Sequence, residues 1–525
     1  MMDISQHYPA LIIAIPLFAA FLCPLFKERI KALATLAILA LLATLIFVVL
    51  LAGQVYTSVT PITYTYGSSS PGLTLPSGYH VPVRIIFEID GLSILMALIT
   101  VILALVGAIY AYSSIKDESG KGKFFALLLL LTVGALGMVL TGDIFNLFVF
   151  LEISSIAGAA LVAYYNYRGE ANEAAFKYIT VSSIGGVLVL FAIGILYSEY
   201  DLLNIAALGN AISTTGLSTL DLFALALFVG AFAMKAGTFP MHMWLPDTYG
   251  EAPAAVNPPL IASTQASLYA LLRVTYIMYG GAVFNYTTLG WVLIVLGVFS
   301  MIFGVLMALK QNDIKRFIGY TAVSQVGYML VPFGVGLSTI GDDVAFGTYG
   351  ITALQAGLFH MINDAIYMGM LFMVVGCVYH ATGKRNMEEL GGLARNMPLT
   401  AIFFMIGGAA VSGVPPFNGF ASKIMIYESI YNFHPLLSII AIVVSIITLG
   451  AYVKAFQGIF LGPKLKEFEN VEEAPTSMLV SIAVLAALVI VFGLMPSLVV
   501  KTIIAPAANA LVNPYGYYAG VLGGV

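Results

Sequence analysis

The sequence predicts an all-α polytopic membrane protein of about 14 transmembrane helices, with two inverted five-helix repeats, each with a broken helix. Three observations carry this. The 525-residue chain is 60% hydrophobic and 9% charged, with a mean hydropathy of +0.98, whereas soluble domains carry about 25% charged residues. Apolar runs of about 20 residues, the length that crosses a bilayer, recur from end to end. Two of these runs, in corresponding places, are interrupted by Gly and Pro and carry a lysine.

The spans fall at 8–26, 30–53, 88–115, 123–141, 143–166, 177–198, 219–246, 258–280, 287–310, 316–337, 348–380, 398–430, 434–460 and 476–500. The first lacks the basic leader and small-residue cleavage site of a signal peptide, so it counts as a span. Residues 54–87 form a polar connection rich in Ser, Thr, Tyr, Pro and Gly. A very short turn at Asp143 separates the fourth and fifth spans. The tail after Lys501 is apolar, short and punctuated by Pro and Gly, which reads as a partial helix. Cys23 and Cys377 lie far apart in apolar spans and read as small core residues. The chain has no Walker loop, dinucleotide fingerprint or metal-ligand cluster, so no cofactor in this chain and no nucleic-acid partner are expected.

Basic residues set the orientation. Of the 22, seventeen gather in or beside alternate loops, among them Lys27, Arg29, Lys116, Arg168, Lys315, Arg316, Lys384, Arg385 and Lys464. The other loops hold only Arg84 and Lys501. Both termini are therefore expected outside a cell membrane of the plasma or inner type. The domain reading follows: 1–122 holds the first three spans, 123–280 the first repeat with its broken seventh span, 287–460 the second repeat with its broken twelfth span, and 461–525 the last span and tail.

Three basic residues remain within spans: Lys235, Arg273 and Lys423. A charge at mid-bilayer costs roughly 2.5 kcal/mol or more, so it marks an ion path or a paired site. Lys235 precedes Pro240, where a helix must break for want of a backbone donor. Glu152 lies nine residues from Asp143, hence about 13 Å into the membrane. It can pair with Lys235, either as a site whose opening and closing shifts both proton affinities or as a static pin between helices. His242 reads as a proton relay or as an interfacial histidine beside Trp244. His360 and Asp364, four residues apart, share a helical face and fit a relay or a structural hydrogen bond. Lys423 reads as a proton-loading site or a snorkelling lysine. Tyr320, Ser324 and Gln325 on span ten can line a water path or pack between helices. Arg273 reads as interfacial, and Asp221 and Glu428 as solvated.

The run Met234 to Asp247, M-K-A-G-T-F-P-M-H-M-W-L-P-D, with Ala252-Pro253 after it, resembles a signature of the antiporter-like subunits of respiratory complex I, Mrp-type Na+/H+ antiporters and membrane-bound hydrogenases. Gln311 to Arg316, with Tyr320 and Ser324 to Tyr328, resembles the family's second signature. Gly413-Val414-Pro415-Pro416-Phe417, with Lys423, resembles its third. The resemblance runs from about Asp90-Gly91-Leu92-Ser93 to the last span. It implies fourteen helices with two inverted repeats, an ion pair at Glu152 and Lys235, and a polar axis continued by His242, His360 and Lys423. The chain ends soon after span fourteen, so it looks most like the D-type member of Mrp complexes and its hydrogenase counterparts. Two departures stand out. Gln265 replaces a basic residue of span eight, and span eleven reads His360, Asp364 and Met368 where many members carry H-x-x-x-H-x-x-x-K.

The function expected is an ion-translocating membrane subunit of a multisubunit complex, Mrp D-type, moving H+ and/or Na+ along charged residues. Its partners would be other membrane subunits. The alternative is the same module in a redox-driven complex with soluble iron–sulfur partners. A third reading, a structural spacer, rests on Gln265 and Met368. A cation path using Asp364 is a further variant, and Gln265 joins Tyr320, Ser324 and Gln325 as a residue that can line a water path.

Overall fold

The computed structural model describes the chain apart from residues 1–3, 27–28, 59, 68–72, 75–79, 82–84, 116–119, 283–284, 464 and 524–525. Lys27, Arg84, Lys116 and Lys464, used above for orientation, lie outside the described residues. Helices dominate: α1 (Tyr8–Leu22), α2 (Ile30–Val55), α3 (Gly91–Ser114), α4 (Lys121–Leu140), α5 (Ile144–Val162), α6 (Gly169–Tyr200), α7 (Ile205–Thr215), α8 (Thr219–Lys235), α9 (Trp244–Glu251), α10 (Asn257–Leu272), α11 (Tyr286–Leu309), α12 (Ile314–Thr339), α13 (Asp343–Ala345), α14 (Ile351–Thr382), α15 (Pro398–Ser412), α16 (Asn418–Phe433), α17 (Pro435–Ile459), α18 (Thr476–Leu494), α19 (Pro496–Val499), α20 (Ala505–Leu511) and α21 (Pro514–Leu522).

Among the described residues, ten helices are long and apolar enough to cross a bilayer. Helix is also found at each of the other four predicted spans, the seventh, eighth, tenth and twelfth. The seventh divides into α8 and α9, and the twelfth into α15 and α16. The eighth is α10, continued by a π-helical turn at Arg273–Met278. The tenth, α12, is 26 residues long, but Lys, Ser, Thr, Gln and Tyr dilute its apolar character. These four hold most of the polar residues singled out from the sequence.

The connection 54–87 contains more structure than its composition suggests. β1 (Ile62–Thr65) pairs antiparallel with β4 (Ile86–Ile89), and β2 (Leu73–Thr74) pairs with β3 (His80–Val81). The predicted third span therefore begins as strand and becomes helix only after Asp90, whose carboxylate caps α3 by accepting from Leu92 N and Ser93 N at 3.0 Å each. The short α7 was not anticipated. Its 11 residues are too few to cross a bilayer, so a search for spans passes over it.

Lipid-facing surfaces are apolar, as on α6, where Phe176, Val187 and Phe191 are exposed. Inside, small residues let helices approach. A Cβ at Gly297 of α11 would stand 3.0 Å from the Gly327 carbonyl of α12. The tail is three short helices and a π turn rather than one partial helix, and it folds back on the body. Tyr518 donates to Ile277 O at 2.6 Å, and α20 packs against the start of α3.

Alternate loops gather on opposite faces. On one, Arg168 and Arg385 both reach Glu251 (2.9 and 2.7 Å), Arg385 reaches Asp313 (3.1 Å), and Asp247 holds Lys177 and Arg316 (2.7 and 2.8 Å). On the other, Thr141 bridges Phe87 and Asp143 bridges Asn204.

Candidate functional site

The first broken helix places a lysine at its own end. Lys235 is the last residue of α8, where the helix dipole favours a cation. The backbone then turns through Gly237 at φ 75°, a conformation open to glycine. The freed groups find partners: Thr238 Oγ1 donates to Ala233 O at 2.8 Å, Phe239 N to Ser300 Oγ at 2.9 Å, and Trp244 Nε1 to Met234 O at 3.1 Å. Trp244 stacks on Tyr178 of α6, ring centroids 5.1 Å apart.

Lys235 Nζ donates to Ser155 Oγ at 2.7 Å and stands 3.8 Å from Glu152 Oε1. The lysine side chain is 5% exposed and the glutamate 26%, so the pair lies at the edge of the protein with its acid outermost. Close approach depends on α6, because a Cβ at Gly186 would meet Glu152 Oε1 at 2.2 Å. Ser154, Ser155, Tyr178, Ser182, Ser263, Thr264 and Ser267 surround Lys235 about a cavity of roughly 10 Å³, the scale of one water site. The sequence reading missed these serines and Gly186; the run Ser182-Ser183-Ile184-Gly185-Gly186 was the available signal.

The second break mirrors the first. α15 ends at Ser412, Gly413 adopts φ 76°, and α16 begins at Asn418. Lys423 is 1% exposed. Its ammonium donates to Val411 O at 2.8 Å and Ser445 Oγ at 3.0 Å and lies 4.2 Å over the Tyr328 ring. It does not snorkel to an interface.

Between the lysines lie three separate sets of buried polar contacts. Tyr249 bonds Thr264 at 2.9 Å. On the next residue, Gln265 Nε2 donates to Asp364 Oδ2 at 3.1 Å. Tyr367 donates to Gln325 Oε1 at 3.4 Å and meets His360 Nε2 at 3.5 Å. His360 Nδ1 meets Ser422 Oγ at 3.0 Å, beside Lys423. The two departures, Gln265 and Asp364, are thus bonded to each other.

Several expectations are corrected. His360 and Asp364 share a face, yet each bonds elsewhere. Ser324 lies outside these contacts: it donates to Met301 O at 3.0 Å where α11 and α12 touch. His242 is buried in the first break against the Phe239 and Tyr320 rings, 5.6 and 6.4 Å between centroids, and its Nδ1 makes no hydrogen bond among the described residues. Arg273 is not interfacial. It is 1% exposed and ion-paired with Asp90, a partner 183 residues away that no local pattern could show. Asp221 is fully buried and forms a capping box with Ser218. Glu428 is exposed. No group of three or more metal-ligating side chains occurs among the described residues.

A helical membrane bundle with two broken helices and buried polar contacts between their lysines defines an antiporter-like membrane subunit. Residues 141–448 match the family described as NADH:quinone oxidoreductase/Mrp antiporter, TM, and the chain belongs to that family. It is 33% identical over 461 residues to the A-type polypeptide of the Na(+)/H(+) antiporter of Alkalihalophilus pseudofirmus, covering 83% of this chain but only 56% of that protein, about half its length. It is 30% identical to the NADH-quinone oxidoreductase subunit N of Desulforudis audaxviator, covering 95% of this chain and 98% of that one. Among solved structures, a chain of the archaeal membrane-bound sulfane sulfur reductase superposes with a TM-score of 0.85 at 31% identity, covering 98% of this chain and 99% of that one.

Proposed function

We propose that this chain translocates protons, with Na+ as the exchanged ion in an Mrp D-type setting, and that Glu152, Lys235, Gln265, Asp364, His360 and Lys423 carry the path. The observation behind this reading is the Glu152–Lys235 pair, 3.8 Å apart, together with the separate buried contacts Gln265–Asp364 and His360–Ser422, the first next in sequence to Thr264 beside Lys235 and the second next in sequence to Lys423. A charge change at one buried site alters the proton affinity of the next, and water or side-chain movement closes the gaps between the separate contacts. His242 and Tyr320 lie buried beside the first break, which follows Lys235, as a relay, and Gln325 is a link through Tyr367. Energy comes from partner membrane subunits or a second ion gradient. In our reading, the face gathering Arg168, Lys315 and Arg385 is inside, and both termini are outside.

A second reading has its own support. The sulfur reductase and NADH-quinone oxidoreductase relatives match nearly end to end, which favours a redox-driven parent complex with iron–sulfur partners. The proton path is the same in both.

The deciding experiment is ion transport by the parent complex in vesicles, with Glu152→Gln beside the unaltered protein. Loss of transport on the order of a hundredfold, with the complex intact, is expected. Unchanged transport would make the pair a static pin and return the chain to a spacer role.

A further inference from the structure

Helix α10 carries a second polar feature. Gln265, Tyr269 and Arg273 recur every four residues, so they share one face and climb about 12 Å. Gln265 holds Asp364. The Tyr269 hydroxyl donates to Val139 O and accepts from Arg273 Nε, both at 2.9 Å. Arg273 pairs with Asp90, reaches Ser93 Oγ at 3.1 Å, and lies between the Tyr269 and Tyr517 rings, 5.0 and 4.8 Å from their centroids.

Glu88 lies two residues before Asp90 at the end of β4, hence on the same side of the strand. It is fully buried. Its carboxylate is wedged between Gly142 and Gly520, where an added Cβ would stand 3.0 Å from Oε2 and 3.3 Å from Oε1 respectively. Among the described residues, Asp90 Oδ2, Arg273 Nη1 and both Glu88 oxygens lack a well-formed hydrogen bond, and the Tyr517 hydroxyl lies close enough to Glu88 to act on it as a donor. Buried polar groups are paired about nine times in ten, so a fully buried carboxylate beside an ion pair calls for a partner of its own. Asp90 and Tyr517, not Glu88 itself, line a cavity of about 500 Å³ bounded by Tyr56, Ser58, Thr60 and Asn513.

Charge decides the occupant. Asp90 and Arg273 offset each other, which leaves Glu88 with one unbalanced negative charge away from water, and such a group takes up a proton or a cation. A proton on Glu88 leaves the cluster neutral, and a metal cation would want more ligands than this site offers, since no group of three or more His, Cys, Asp or Glu occurs among the described residues. Burial pushes the Glu88 carboxyl well above the usual range, opposed by the Arg273 charge, reinforced by Asp90 and opposed by hydrogen bonding from the Tyr517 hydroxyl.

We propose that Glu88 is a proton-exchange site serving this cavity, and that the Gln265–Tyr269–Arg273 face of α10 links it to the mid-membrane contacts. This gives protons a route to the face of residues 54–87 that does not use Lys423. It rests on the proton-path reading above.

The test is proton transport by the parent complex in vesicles with Glu88→Gln, Glu152→Gln and the unaltered protein, together with infrared spectra of the complex across pH. Glu88→Gln should assemble, lower transport on the order of tenfold, and abolish one protonated-carboxyl band. Full transport by Glu88→Gln alongside a dead Glu152→Gln overturns this proposal and leaves the main path standing. Full transport by both overturns both. An unaltered carboxyl spectrum in Glu88→Gln also overturns it. If Glu88→Gln fails to assemble, Tyr517→Phe keeps the ring over Arg273 and removes only the hydroxyl: slower transport supports the proposal, and an unchanged rate overturns it.

Discussion

Single residues in this protein are governed by burial without water. Asp143 shows it in the turn that caps α5. Only 8% exposed, it accepts from Asn146 N at 2.7 Å as the cap of α5. Burial pushes its carboxyl up to about 6, against the opposing hydrogen bonds from Asn146 and Phe145. The folded state therefore holds this proton more tightly than the unfolded chain. The stabilisation is complete below the ordinary aspartate range and is lost as pH rises through about 6. Asp143→Asn keeps the cap and removes the titration. Thermal unfolding of the complex from about pH 4 to 7.5 should lose the part of its slope due to this group, at most about 3 kcal/mol; an unchanged slope would show that Asp143 does not hold the proton. Asp143 was legible in the sequence as a turn, Glu152 and Lys235 as unusual charges in apolar runs. Arg273 was misread because its depth depends on Asp90, Tyr269 and Tyr517, which only folding brings to it.

Elements matter through where they stop. Both broken helices end beside a lysine, and both turns use a glycine at positive φ. At Gly413 an added Cβ would also press on Lys423 Cδ at 2.9 Å. Gly413→Ala should cost roughly 1–2 kcal/mol from the left-handed backbone and slow transport by displacing Lys423. Gly383, which caps α14 at φ 70° with open space around its Cα, is the control. Gly383→Ala should lower stability similarly and leave transport intact. Equal transport in both variants would separate the second break from the ion path. The breaks were legible because Gly and Pro fall together close to a lysine, Gly237 with Pro240 and Gly413 with Pro415 and Pro416. The β1–β4 hairpin and α7 were not, because a few short, mixed residues carry little periodicity.

The whole molecule is a bundle whose alternate loops meet on opposite faces. Cys23 and Cys377 are both buried, so the natural chain offers a quiet background for impermeant thiol reagents. In intact cells, Ser58→Cys should be labelled from outside. Lys384→Cys, at a side chain 37% exposed on the opposite face, should be labelled only after the membrane is opened. Labelling of both from one side would break the alternating topology, and the reverse pattern would invert the orientation.

The sequence by itself determined that the chain crosses a membrane many times, where its helices break, and which charges are out of place. Bilayer thickness, proline geometry and the cost of a charge in hydrocarbon act on local stretches and leave local signatures. The tertiary structure decided the partners: Ser155 for Lys235, Gln265 for Asp364, Ser422 for His360, and Asp90 for Arg273. Each joins residues 62 to 183 positions apart. Pairing over that separation is set by how helices pack and by the need of every buried polar group for a neighbour, which no window of sequence contains.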